Sequence, residues 1–170
     1  MDKMLQVENS INNSFSSTSV EGKLLHIVPY HKGHGTFILS QQMNHALMDQ
    51  DAQFDGETMQ LEEQGLAFTG IVNDQPIFAA GMKKIWEGVA EGWVLATKEV
   101  WDHPLLVARA IKKDFAKVAK QHNIKRVQTA VRSEFGIGIK FAKWLGLENE
   151  GLMKHYGFDG SDHYRFARIF

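Results

Sequence analysis

The feature that most constrains this fold is a basic amphipathic helix lying between two strand-like segments. Trp93 to Lys98 and Ile124 to Val131 read as strands. Between them, Asp102 can cap a helix start and Pro104 falls near its first position, where the missing N–H costs nothing. Leu105, Ala108, Ile111, Phe115 and Val118 then trace one face, while Arg109, Lys112, Lys113, Lys117 and Lys120 fall mostly on the other, and Gln121-His122-Asn123 ends the helix. Strands joined through a helix become parallel neighbours by a right-handed crossover. A mixed α/β sheet follows.

The flanking segments extend that sheet. Lys23 to Tyr30 reads as a strand, followed after Gly33 and Gly35 by a helical stretch carrying Phe37, Ile38, Met43, Ala46 and Leu47. A second short helix is expected in the acidic span up to Glu63. Leu66 to Val72 and Pro76 to Trp86 read as strands joined at Asn73-Asp74-Gln75, and Gly88 to Gly92 reads as the next turn. Beyond Val131, Gly136 to Trp144 is a short helix capped by Gly146, and Leu152 to Tyr156 pairs with His163 to Ile169 as a terminal hairpin. Residues 1–22, rich in Ser and Asn, read as a flexible polar tail before one domain spanning residues 23–170.

Composition bounds the function classes. The 170 residues suit one domain that buries its own core, with 44% hydrophobic and 23% charged residues as in ordinary globular proteins. A net charge of -1 argues against a bulk electrostatic grip on nucleic acid. With zero cysteines, disulfides, thiolate metal sites and cysteine nucleophiles are excluded together. No apolar run approaches the ~18 residues of a membrane span, and the amino terminus lacks the order of a secretion signal, so a cytoplasmic location is expected.

The element order from Lys23 onward resembles the GNAT superfamily of N-acetyltransferases, in which a helix closing on a Leu-Gly-Phe-like triplet precedes a terminal hairpin. Here Phe141-Ala142-Lys143-Trp144-Leu145-Gly146-Leu147 leads through Glu148-Asn149-Glu150-Gly151 into the hairpin. A closer resemblance is to GNAT-like proteins of tailed phages, including the internal virion proteins of short-tailed phages. It rests on Trp93-Val94-Leu95-Ala96-Thr97-Lys98-Glu99-Val100-Trp101, on His103-Pro104 and on Trp144-Leu145-Gly146. The resemblance implies a mostly antiparallel mixed sheet with a splayed parallel central pair, flanked by about four helices. Acetyl-CoA would lie in the splay and give its acetyl group to an amine on a small molecule or a protein. A phage-encoded chain would work in the host cytoplasm or the virion, against a phage or host protein.

The same resemblance implies site residues. Val94, Leu95, Ala96 and Thr97 would offer backbone to the pantetheine, and the helix start at Leu105 would offer free N–H groups and a positive dipole end to the pyrophosphate. Arg109, Lys112 and Lys113 would meet phosphate charge; their competing reading is a solvated basic face. Ser133 is the small polar residue nearest the position where the family has an Asn. Glu99 or His103 would act as base, and Tyr156 or Tyr164 as acid. The chain departs from the family in three ways. It has no glycine from Lys98 to Ala108, Glu134-Phe135 stands where the Asn is expected, and Ala142 stands where a Tyr commonly protonates the thiolate. An enzyme and a non-catalytic interaction protein both remain open.

Other signals are weaker. His31-x-x-His34 has metal-ligand spacing but no carboxylate or cysteine companions, so no metal is expected. Trp86, Trp93, Trp101 and Trp144 are scattered, as core or rim residues are. Asp49, Asp51, Asp55, Glu57, Glu62 and Glu63 lie where the family builds its acceptor side, and carboxylates there favour a cationic amine.

Overall fold

Turn chemistry sets the antiparallel half of the sheet in the computed structural model, which describes residues 17–20, 23–41 and 65–170. Asn73 and Asp74 adopt φ of 49° and 60°, values their short polar side chains tolerate, and fold β3 (Ala67–Val72) tightly back on β4 (Gln75–Trp86). The expected turn over Gly88 to Gly92 is corrected: the reversal is confined to Glu87 and Gly88, and β5 runs Val89–Ala96. Gly92 lies inside this strand because Phe115 and Val127 press against its α-carbon; a Cβ there would stand 2.8 Å from the Phe115 ring.

Ser17–Val20 forms an edge strand, β1, paired antiparallel with β2 (Lys23–Pro29). Pairing satisfies backbone groups that β2 would otherwise leave open, and Thr18 and Val20 are β-branched. The rest of the expected 1–22 tail lies outside the described residues. Helix α1 covers Lys32–Ser40; the expected continuation through Met43, Ala46 and Leu47, and the acidic helix, also lie outside them.

The crossover forms as the sequence dictates. After β5, a 3-10 turn (Lys98–Asp102) leads into α2 (Pro104–Gln121), then β6 (Arg126–Arg132), α3 (Gly136–Trp144), β7 (Glu148–Met153) and β8 (His163–Ile169). Asp102 does not cap α2. It ends the 3-10 turn, and His103 takes the cap position without a side-chain bond, while Pro104 opens the helix. The buried face of α2 is also rotated from the expected stripe. Val107, Ala110, Ile111, Phe115 and Val118 pack inward, whereas Leu105 is 67% exposed at the open end of the sheet. Gly146 closes the α3 turn at φ 86°, as a glycine there allows.

The sheet has eight strands in the order β1-β2-β3-β4-β5-β6-β8-β7, with β5 and β6 as its single parallel pair among the described residues. That pair holds register only at Val89↔Arg126, Ala90↔Val127 and Glu91↔Gln128, although β5 runs on to Ala96 and β6 to Arg132. The strands therefore diverge. One face of the sheet packs on α2 and α3 around Phe78, Met82, Ile111, Phe115, Val127 and Phe166. The other packs on α1 through Tyr30, Ile38, Ala67, Ala79 and Leu95. The architecture is the expected mixed, mostly antiparallel sheet with a splayed central pair.

Candidate functional site

Divergence of β5 from β6 opens a cleft of about 1320 Å³. Its walls come from β5 (Gly92, Val94, Ala96), the start of α2 (Pro104, Leu105, Ala108), β6 and α3, and its mouth carries Trp101, Trp144 and Phe158. Beyond Glu91 the β5 edge facing β6 has no strand partner, so its backbone can bond an extended ligand. At the same mouth α2 begins with Pro104, and the amides just after it point out of the helix without an i−4 acceptor.

Of the residues expected at the site, Val94, Ala96, Leu105 and Tyr156 line this cleft. Leu95 turns to the opposite face and packs in the α1 core. Thr97 is buried and donates its hydroxyl to the Ile77 carbonyl at 3.2 Å. Glu99 and His103 stand outside the cleft lining. The neighbouring Thr97 side chain and the local backbone hold the Glu99 carboxyl below its ordinary range, which makes it a weaker base. The basic residues divide. Lys112 donates to the Trp144 carbonyl at 2.9 Å and lies 4.6 Å over its ring, tying α2 to α3, while Arg109 and Lys113 point outward. Ser133 donates its backbone N–H to the Asp162 carbonyl at 2.8 Å. Tyr164 packs beside Phe166, facing the core rather than the cleft.

Glu91 and His163 of the cleft lining, and Arg165 beside it, are polar residues that the sequence reading did not single out. Glu91 sits at the last paired position of β5, where the strands part. Arg165 Nη1 on β8 donates to both its oxygens, at 3.0 and 3.2 Å. Burial pushes the Glu91 carboxyl above its ordinary range, while Arg165, Gln128 and the Ala130 backbone oppose that rise. A partly buried carboxyl raised in this way, in a cleft, takes a proton more readily than an exposed one. Arg165 Nη2 lies 3.4 Å from the Tyr156 hydroxyl, and the Tyr156 ring packs edge-on against His163 at 5.4 Å. His163 is buried beside the Ser161 carbonyl, 3.3 Å from Nδ1.

A structured loop carries Tyr156 and Phe158 to the mouth. The Asp159 carboxylate accepts from the Ser161 amide and pairs with Arg132 Nη2 at 2.9 Å across the end of β6. Bonds from Ser161, with help from Arg132, hold the Asp159 carboxyl down to about 2. The His155 amide donates to Asp162 at 2.8 Å, closing the loop at its other end.

The histidine pair near α1 has local work. His31 Nδ1 accepts from the Gly33 amide at 3.1 Å and caps the helix, and His34 Nδ1 lies 3.0 Å from the Thr69 hydroxyl. Among the described residues no group of three His, Asp or Glu could hold a metal, and no helix is long and apolar enough to cross a membrane.

No protein-family model matches the chain, and no curated protein does. Solved structures match it closely in fold. Ard1 from Thermoplasma volcanium superposes with a TM-score of 0.71 at 17% identity, over 85% of this chain and 97% of that one. The putative acetyltransferase yncA from Salmonella typhimurium, solved with its cofactor acetyl-CoA, gives a TM-score of 0.68 at 13% identity, over 85% and 93%. An acetyltransferase of the GNAT family from Bacillus anthracis gives 0.67 at 11%, over 91% and 97%. The chain thus has the fold of the GNAT acetyltransferases.

Proposed function

We propose that this protein transfers the acetyl group of acetyl-CoA to an amine. The observation that carries this reading is the early end of the β5–β6 ladder at Glu91, which opens a cleft and leaves β5 from Gly92 to Ala96 without a strand partner on that side. Pantetheine amides would bond that edge, and the N–H groups after Pro104 would face the pyrophosphate, with Arg109 and Lys113 nearby. Fold likeness supports the reading, since yncA is solved with acetyl-CoA and a ribosomal L7/L12 acetyltransferase, RimL, with coenzyme A.

In this reading Glu91 is the base. It takes a proton from the ammonium of the acceptor, the freed amine attacks the thioester carbonyl carbon, and the C–S bond breaks as the amide C–N bond forms. The leaving thiolate takes its proton from solvent at the open mouth, because Ala142 carries no hydroxyl. The nitrogen of the new C–N bond loses its second proton to solvent as the C–S bond breaks, which matches the proton the thiolate takes up. The Glu91 proton then passes to solvent, so one proton is released per turnover. Glu99 and His103 are subordinate candidates, since neither lines the cleft.

Calorimetry with acetyl-CoA tests the reading directly. Binding is expected, and its absence at millimolar ligand sinks the proposal. With an accepting amine, Glu91→Gln should cut kcat by about 10²-fold or more while leaving acetyl-CoA affinity in place.

A second reading has its own observation. The segment from Lys98 to Ala108 has no glycine and folds as a 3-10 turn running into α2, where a working member of the family has a flexible phosphate-wrapping loop. With the Trp93 to Trp101 resemblance, this supports a non-catalytic protein of tailed-phage type that contacts a phage or host protein, in the host cytoplasm or the virion. No acetyl-CoA binding by the folded protein at millimolar ligand would favour it.

A further inference from the structure

Three arginine–carboxylate pairs involve arginines of β6 and β8, and one of them leaves half of its fork without a short bond. Arg126 uses Nη1 and Nη2 on the two oxygens of Glu150, a filled fork on a carboxylate. Arg132 Nη2 pairs with Asp159 at 2.9 Å. Arg165 spends Nη1 alone on both Glu91 oxygens, and its Nη2 reaches only the Tyr156 hydroxyl, at 3.4 Å. That separation is long for a guanidinium bond to a hydroxyl. Two donors, Nη2 and the phenol O–H, thus lie side by side without a strong bond between them.

Their setting is accessible and directional. The Arg165 side chain is 21% exposed and that of Glu91 32%, so ligand from solvent can reach both, while Glu91 and Tyr156 both line the cleft. Tyr156 packs on His163 and lies 5.5 Å from the Arg165 guanidinium, which fixes the phenol beside the free half of the fork. An anion seated between Nη2 and the phenol would accept one bond from each. A carboxylate suits that place because it is planar and offers two oxygens. Glu91 stands on the other side of the same guanidinium, so a cation held near the bound carboxylate would meet a carboxylate of the protein. An α-amino acid has this layout, with its ammonium and carboxylate one carbon apart.

We propose that the acceptor site takes a free α-amino acid, its carboxylate on Arg165 Nη2 and the Tyr156 hydroxyl and its amine facing Glu91. This rests on the acetyl-transfer reading for the fate of the amine, but the binding site stands on its own geometry. Arg165 and Tyr156 are then acceptor-recognition residues, and the side chain of the amino acid points toward the cleft mouth, where Phe158 is exposed.

The test compares the common L-amino acids with their C-terminal amides, which keep the amine and lose the anion. Binding to the full chain and to each variant is read by calorimetry with the amino acid or its amide as titrant, without acetyl-CoA. At least one amino acid should bind, and its amide should bind at least about tenfold more weakly, as expected for the loss of a charge-assisted pair. Arg165→Met and Tyr156→Phe should each erase most of that preference. Arg165→Lys keeps the charge without the fork, so it covers the case in which Arg165→Met does not fold, and it should also blunt the preference. Equal binding of acid and amide, no binding by any amino acid, or an unchanged preference in the variants overturns the proposal. Retained amino-acid selectivity with no acetyl-CoA binding by calorimetry would sink the transfer reading alone.

Discussion

Lys112 reaches from α2 to the carbonyl of Trp144 at the end of α3, 2.9 Å away, and its ammonium lies 4.6 Å from the centre of the Trp144 ring. A helix ends with carbonyls that have no intrahelical donor, and a cation there also meets the negative end of the helix dipole. The contact therefore ties α2 to the end of α3 in the wall of the cleft. Lys112→Met keeps the aliphatic stem and removes the donor. It should lower unfolding stability by about 1 kcal/mol in urea titrations and leave acetyl-CoA affinity unchanged. A loss of affinity without loss of stability would return Lys112 to phosphate binding.

Arg109 lies one turn into α2 on the exposed side, and its cationic neighbour Lys113 is also exposed. Reversing charge at this point opposes a pyrophosphate seated at the helix start. Arg109→Glu should weaken acetyl-CoA binding about tenfold, a difference calorimetry resolves. Lys154→Glu, on the exposed end of the terminal hairpin, carries the same change in net charge and should have little effect. Equal losses in the two variants would mean that only overall charge matters.

The fold was legible wherever a local signal matched the final environment. Pro104 opens α2, Gly146 takes φ 86° after α3, and Asn73-Asp74 turns the β3–β4 hairpin, each for a reason confined to a few neighbouring residues. β7 was misread because Glu148, Asn149 and Glu150 form an exposed edge strand with no alternation of apolar and polar residues to announce it. The site was less legible. Glu91 was hidden by Gly92, which by composition belongs to a turn but here lies in β5, where only a hydrogen fits under Phe115. Arg165 was hidden by distance, since it meets Glu91 across 74 positions of sequence. A register of β5 beginning at Val89 would have put Glu91 at the splay.

Asp114 is buried on the inner face of α2, and neither of its carboxylate oxygens has a hydrogen-bond partner. Burial raises its pKa, with Lys113 and Lys117 opposing. A carboxyl raised in the folded state binds more protons folded than unfolded, so stability is greatest below its unfolded pKa and falls as pH rises through the folded value. Above the ordinary carboxyl range the buried group therefore costs stability. Asp114→Asn removes that cost and should gain about 1–2 kcal/mol at pH 7. The gain should shrink toward zero as pH drops into the ordinary carboxyl range, where the wild-type group is neutral too. A gain that stays constant with pH would assign the effect to packing instead.

Gly92 fixes how closely α2 approaches the splay. A Cβ at this position would stand 2.8 Å from Phe115 Cζ and 3.1 Å from Val127 Cγ1, and both side chains are buried. Neither neighbour is the loose end of a flexible chain, so Gly92→Ala must move the ring or the strand, at about 1–3 kcal/mol by the usual penalty for overpacking. Phe115→Leu makes room on one side, so the double variant should cost less than the sum of the two single changes, read in urea titrations as a coupling of at least about 0.5 kcal/mol. The site should respond as well. Gly92 lies next to Glu91 at the point where β5 leaves β6, and moving the strand there shifts the edge offered to a pantetheine. Gly92→Ala should therefore weaken acetyl-CoA binding, and the added Phe115→Leu should restore part of the affinity along with the stability. Recovery of stability without recovery of affinity would separate the packing under Gly92 from the ligand edge above it.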